Sequence, residues 1–313
     1  MQTILTKSTE EAAAFIKKGG VVAFPTETVY GLGANVFDAR AIEKIFVAKR
    51  RPADNPLIAH VGSVEQISSL TSEINETAEK FIAAFFPAPL TLVLPKSAQV
   101  PLIATANLET IGVRMPQNDL AQEFLRKCET PVVAPSANLS GRPSPTTWQA
   151  VYEDLRGRIE CILQGEMTEI GLESTVVDCT SATPLILRTG AITLEALRKI
   201  VPETALYKVK ENEAARSPGL RHKHYAPKAK VVLINRKSKI ENRKSVAFIG
   251  LSAPHREFEL TRICASAEAY AHEFFNFFRE CDRRNIKTIY CEIVPETGIG
   301  LALMDRLRRA AED

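Results

Sequence analysis

No stretch of this 313-residue chain approaches the roughly 18 consecutive apolar residues of a membrane-spanning helix. The opening Met1-Gln2-Thr3-Ile4-Leu5-Thr6-Lys7 lacks a signal-peptide core, so a cytoplasmic chain without a membrane partner is expected. Cys128, Cys161, Cys179, Cys264, Cys281 and Cys291 show no Cys-x-x-Cys spacing and no histidine cluster beside them. Disulfides and zinc are therefore disfavoured, and free, mostly buried thiols are expected. The common nucleotide signatures are missing too, with no Gly-x-x-x-x-Gly-Lys and no Gly-x-Gly-x-x-Gly. A serine hydrolase finds no support: there is no Gly-x-Ser-x-Gly, and no serine has a lysine three residues on. Internal repeats and low-complexity tracts are absent.

What is present is an ordinary globular composition, 45% hydrophobic and 25% charged, at about twice the length of a typical domain. The net charge of +3 conceals an asymmetry. Residues 1–207 carry 19 Lys+Arg against 23 Asp+Glu, and residues 208–313 carry 21 against 14. A primary nucleic-acid binder usually shows a broad basic field, which the first part lacks. Clustered cations there read as a local site, while the basic second part leaves room for a weak RNA contact.

Periodicity divides the chain. Ser8 and Glu11 have capping-box spacing for a helix ending near Gly19-Gly20, and Val21–Phe24 follows as a buried strand. After an expected turn at Gly31-Leu32-Gly33, Asp38 caps a helix with the apolar stripe Ile42, Ile45 and Phe46. Strands are expected over 56–61, 90–94, 110–115, 132–134, 161–163, 175–178 and 185–187. Helices are expected over 72–86, 119–127, 147–155 and 193–201. Without strict alternation, the sheet should be mixed. The pattern lapses over 208–230, a linker rich in Arg, His and Tyr. Strands at 231–234, 246–249 and 286–294, with helices near 267–281 and 299–310, then form a small, Rossmann-like α/β unit. The expected division is thus 1–207, a linker at 208–230, and 231–313.

Two stretches suggest chemistry. Lys49 falls in line with the apolar stripe of its helix, and reads either as a snorkelling lysine at the helix end or as a ligand for an anion. Pro52 turns the chain extended, so Arg51 and Asn55 can aim at the same space and suit phosphate or carboxylate. Ser136 and Asn138 follow the strand at 132–134, at a sheet's carboxyl end where ligands gather in α/β folds. They read as binding groups or as plain turn residues. His60, ending its strand, reads first as structural. Arg114 serves as well in a surface ion pair, and Thr26-Glu27-Thr28 as an ordinary turn. Taken alone, the residues reach a polyanion-binding α/β enzyme and no further.

Several segments, in order and spacing, resemble the YrdC-domain family: Pro25–Gly33, Lys49–His60, Ser136-Ala137-Asn138, Glu173–Asp178 and Leu187–Ala191. Ser217-Pro218-Gly219, His224-Tyr225-Ala226-Pro227 and Gly300–Leu307 match its longer, two-domain form. The resemblance implies an open, twisted α/β sheet around a basic cleft, followed by a small Rossmann-like domain. It implies synthesis of threonylcarbamoyl-adenylate and pyrophosphate from L-threonine, bicarbonate or carbon dioxide, and ATP with Mg2+, the metal riding on ATP with no protein ligand. Downstream threonylcarbamoyl-transferase proteins would then modify tRNA. By position, Thr28, His60, Arg114, Ser136 and Ser174 would hold threonine. Arg51, Asn55, Thr110, Asn138, Thr146, Arg188, His224 and Tyr225 would meet ATP. Lys49 and Arg51 would supply the catalytic charge. The competing reading is a non-catalytic module for double-stranded RNA or tRNA, against which the acidic balance of residues 1–207 argues.

Overall fold

The computed structural model describes residues 1–207, 225–235, 238 and 244–312. Its first sheet has eleven strands: β1 (Ile4–Thr6), β2 (Val22–Phe24), β3 (Gly31–Asn35), β4 (Ile58–His60), β5 (Leu90–Pro95), β6 (Thr110–Arg114), β7 (Val132–Val133), β8 (Cys161–Leu163), β9 (Thr175–Asp178), β10 (Leu185–Arg188) and β11 (Ala205–Leu206). They lie in the order β1-β8-β2-β3-β7-β4-β6-β5-β9-β10-β11. Pairings alternate irregularly: β2 runs parallel to β8 and antiparallel to β3, and β4 runs parallel to β6 and antiparallel to β7. The sheet is mixed, as expected.

Strand alternation sends neighbours to opposite faces. Val22, Phe24, Val132, Cys161 and Leu163 pack with Ala12, Ala13 and Ile16 of α1 (Thr9–Lys17). Ala23, Val133 and Ile162 face the larger core on the other side. There they meet α2 (Ala39–Lys49) and share that core with α3 (Glu76–Phe85). A short α4 (Leu102–Thr105), then α5 (Asp119–Cys128), α6 (Trp148–Leu155) and α7 (Leu194–Ile200) complete this part. Ser8 and Asp38 cap α1 and α2 as read, Ser8 accepting from the Glu11 amide at 3.2 Å. All six cysteines are free and buried.

Two expectations need correction, and one strand escaped the sequence pattern. Gly31–Gly33 is strand, not turn: it pairs antiparallel with β2, Val22 opposite Gly33. Glycine is required there by proximity, because a Cβ on Gly33 would lie 2.6 Å from Val132 Cγ1 and 2.9 Å from the Phe24 ring. The helix expected from residue 72 starts at Glu76, where Asn75 caps it by accepting from the Ala78 amide at 2.9 Å. Ile4–Thr6, too short to stand out, is a strand held by parallel pairing to β8.

The second sheet is entirely parallel, with β12 (Lys230–Ile234), β13 (Val246–Gly250), β14 (Leu260–Ile263) and β15 (Thr288–Glu292) in the order β12-β15-β13-β14. Two helices, α8 (Ala267–Arg283) and α9 (Ile299–Ala311), pack on it. Phe274, Phe275, Phe277 and Phe278 of α8 form its core, and Val29 and Leu172 from the first part join them. The expected linker segment 208–224, with His224, lies outside the described residues. No helix among the described residues is long and apolar enough to cross a membrane.

Candidate active site

Residues at the ends of β2, β4, β6, β7 and β10 and at the starts of β3 and β9 come together across one face of the large sheet, with Ile58 and His60 as alternate residues of β4. That convergence opens a cleft with about 620 Å³ of empty space, its mouth included. Thr28, Arg51, His60, Arg114, Ser136, Ser174, Arg188 and Tyr225 all line it, bringing together residues spread over most of the chain.

Arg114 ends β6 and is buried, not a surface cation. Its Nη1 donates to Thr28 Oγ1 at 2.9 Å, and Nη2 lies 2.7 Å from Glu27 Oε1. Thr28 Oγ1 is also 2.8 Å from Thr26 Oγ1, so the 26–28 segment is a buried polar turn. Glu27 Oε2 and Arg114 Nε have no hydrogen-bond partner among the described residues, while Oε1 and Nη2 are held by their ion pair.

Arg51 and Arg188 are the free cations of the wall. Arg51 Nη2 donates only to the carbonyls of Asn55 and Pro56, at 3.3 and 3.4 Å, and its Nε has no partner. Burial pulls its pKa down to about 10. Arg188 donates from Nε to the Ser174 carbonyl and from Nη2 to Ser174 Oγ, both at 3.1 Å. Its pKa is also lowered by burial. Among the described residues neither guanidinium has a carboxylate partner, although a desolvated cation needs one. An incoming anion would supply it.

His60 lies edge-on to Phe24, ring centroids 5.7 Å apart, and Nδ1 is 3.1 Å from the Ile58 carbonyl. Burial, with Arg114 nearby, pushes its pKa down to about 3, so the ring is neutral at pH 7. The unfolded chain holds this histidine near 6.5, so its stability contribution is complete above that pH and is lost as pH falls toward 3. Between pH 7 and 5 the protein should lose about 2 kcal/mol from this group. His60→Asn should flatten that limb in thermal unfolding; an unchanged pH slope would refute the assignment.

The cleft leaves other expected residues out. Lys49 is buried behind the wall, its Nζ donating to the Ser136 carbonyl and, at 2.5 Å, to that of Asn138. Burial and the neighbouring Arg51 hold its pKa well below 10.5. It braces the Ser136–Asn138 loop from within, while Ser136 Oγ donates to Asn138 Oδ1 at 2.6 Å. Asn138 turns inward to the carbonyls of Leu139 and Arg142. Asn55 is buried with Oδ1 unpaired, and Thr146 is buried beyond the wall. Thr110, at the start of β6, lines a separate small cavity with Pro56, Thr91 and Gly112.

Sequence reasoning missed Glu173, whose carboxylate stands in the wall. It also missed the two arginines of the second sheet's helices that enter the first part. Arg306 Nε is 3.1 Å from Glu173 Oε2, and Arg279 Nη2 is 2.9 Å from Asp154 Oδ2. Position in the Glu173-Ser174 motif was the one signal available for Glu173.

Fold and cleft together define an α/β protein with an arginine-lined cleft on a mixed sheet and a parallel-sheet domain against it. Residues 14–190 match the sequence model of the Sua5–YciO–YrdC family, described as telomere recombination. Residues 192–312 match that of the threonylcarbamoyl-AMP synthase C-terminal domain. The threonylcarbamoyl-AMP synthase of Pyrococcus abyssi is 45% identical, over 96% of this chain and 93% of its own length. That of Bacillus subtilis is 40% identical, over 96% and 92%. The crystal structure of P. abyssi Sua5 complexed with L-threonine aligns with a TM-score of 0.91 at 42% identity, covering 99% of this chain and 97% of that one. The chain belongs to the Sua5–YciO–YrdC family, in its two-domain form.

Proposed function

We propose that this cleft makes threonylcarbamoyl-AMP from L-threonine, bicarbonate or carbon dioxide, and ATP. The observation that carries this reading is the pair of carboxylate-free guanidiniums, Arg51 and Arg188, facing the same cavity as the Thr28–Arg114 cluster. The threonine amine first forms an N–C bond to the one-carbon unit, giving a carbamate, with loss of water if bicarbonate is used and of a proton to solvent if carbon dioxide is used. A carbamate oxygen then bonds to the α-phosphorus of ATP as the bond to the β-phosphate oxygen breaks, and pyrophosphate leaves. Two anions must meet, a repulsion of several kcal/mol near a protein surface unless countered. Arg51 and Arg188 counter it, so the protein contributes positioning and fixed charge rather than a titrating base. Neutral His60 keeps its wall uncharged, and Arg114 with Thr28 receives the threonine carboxylate.

The described residues contain no group of three or more His, Cys, Asp or Glu that could hold a metal. Glu173, in the wall, has its oxygens engaged by Ser144 and Arg306. We assign Mg2+ to the ATP phosphates, where it would share their charge. Tyr225, buried at the cavity with φ of 70°, would close the site from the segment following residue 224. The product would pass to transferase proteins acting on tRNA in the cytoplasm.

Pyrophosphate release with ATP and bicarbonate should depend on threonine. Serine, short of one methyl group, should turn over roughly tenfold or more slowly. Release at the same rate without any amino acid, or RNA retention with no turnover, would sink the reading.

A further inference from the structure

A carboxylate in the wall of an anion-binding cleft is out of place, because it repels what the arginines attract. Glu173 is such a group, and it sits next to Ser174, the residue that holds Arg188. Its Oε1 accepts from Ser144 at 2.6 Å, and its Oε2 pairs with Arg306 at 3.1 Å. Arg306 comes from α9 of the second domain and is wholly buried. The same guanidinium donates from Nη2 to the Thr189 carbonyl at 2.8 Å and lies 5.7 Å from the Tyr225 ring centroid. Arg306 therefore holds the residue preceding Ser174 and the residue following Arg188, bracing both sides of the contact between them.

We infer that Arg306 is a positioning residue of the cleft: by occupying Glu173 it leaves Arg188 turned toward the cavity and free for phosphate. The second domain thus completes the charge of a site built on the first. Were Arg306 absent, Arg188, whose charge already acts on Glu173, would be a wall cation not paired to a carboxylate among the described residues. Among the described residues it hydrogen-bonds only neutral oxygens of Ser174 and makes no ion pair. Turning to Glu173 would satisfy that buried carboxylate at the expense of the nucleotide. Glu173 is itself held below the ordinary carboxylate range by Arg306 and Arg188 acting against burial, which agrees with the two arginines competing for it.

The inference rests on the ATP reading given above, and the test separates the two. Full-length wild type, Arg306→Gln and the double variant Arg306→Gln/Glu173→Gln are compared for calorimetric affinity toward a non-hydrolysable ATP analogue with Mg2+. The KM values for ATP and threonine are measured alongside by pyrophosphate release. Arg306→Gln should weaken the analogue by about tenfold or more, with a smaller change in threonine KM. The double variant, which removes the carboxylate that competes for Arg188, should recover to within about threefold of wild type. A double variant that unfolds cooperatively yet binds as weakly as the single one overturns the inference. So does an equal rise in both KM values. If Arg306→Gln does not fold, the double variant decides alone: near-native affinity supports the role and a loss of about tenfold refutes it. A wild type that binds the analogue without threonine-dependent turnover defeats the proposed function only, and the affinity series still decides the role of Arg306.

Discussion

Replacing Arg51 with methionine is expected to cut kcat/KM for ATP about a hundredfold and, at the same time, to raise the melting temperature of the ligand-free protein. The two effects have one cause. Arg51 is half-buried and has no carboxylate partner among the described residues, and its hydrogen bonds to Asn55 and Pro56 are long. Burial brings its pKa from 12.5 to about 10, which charges the ligand-free fold on the order of 3 kcal/mol at neutral pH. Methionine keeps much of the packing volume and removes that desolvated cation, while the carbonyls lose a weak donor. The net gain should be about 2 kcal/mol, or roughly 4–8 °C for a protein of this size. With saturating ATP the order should reverse, since wild type gains the ligand's stabilisation and the variant gains less. Calorimetric scans with and without ATP would read both. A ligand-free variant that melts below wild type, or one that turns over normally, would remove Arg51 from the role of waiting cation.

The way such groups are distributed explains what could be read from the sequence. Local rules worked where the cause was local. Ser8, Asp38 and Asn75 cap the helices that follow them, though Asn75 was overlooked because the stripe through Ile74 drew the expected helix start upstream. The placing of Lys49 on the buried face of α2 was also readable from spacing. Its task was not, because the carbonyls it serves lie 87 and 89 residues further on. Gly31 and Gly33 carry the usual signal of a turn, yet the space they leave is taken by Phe24 and Val132 of neighbouring strands. Glu173 and Asp154 meet partners 133 and 125 residues away, on helices of the other domain. No periodicity in either segment encodes those encounters, so the residues that join the two domains were invisible until the chain was folded.

Asp154→Asn should be among the most destabilising single changes in the protein, costing about 3–5 kcal/mol. The carboxylate sits on α6 with its side chain fully enclosed, and every contact it makes is to a donor. Oδ2 accepts from the Leu139 amide at 3.1 Å and from Arg279 Nη2 at 2.9 Å. Oδ1 accepts from Arg142 Nη1 at 2.5 Å and from Arg279 Nη1 at 3.3 Å. An asparagine puts an NH2 group against guanidinium protons on one of these sides, and leaves Arg279 buried without a counter-charge. Arg279→Met should cost less, because Asp154 would still hold Arg142 and Leu139. The consequence for activity follows from the same contacts. Leu139 and Arg142 continue the loop that carries Ser136 into the cleft, and Lys49 grips that loop from its other side. With Asp154 neutralised the loop loses its anchors at Leu139 and Arg142, so the KM values for both substrates should rise together even at temperatures where the variant is folded. Urea titration of both variants beside wild type checks the ordering. A loss under about 1 kcal/mol for Asp154→Asn would mean that the second domain is held by its apolar contacts with Val29 and Leu172, with the buried ion pair contributing little.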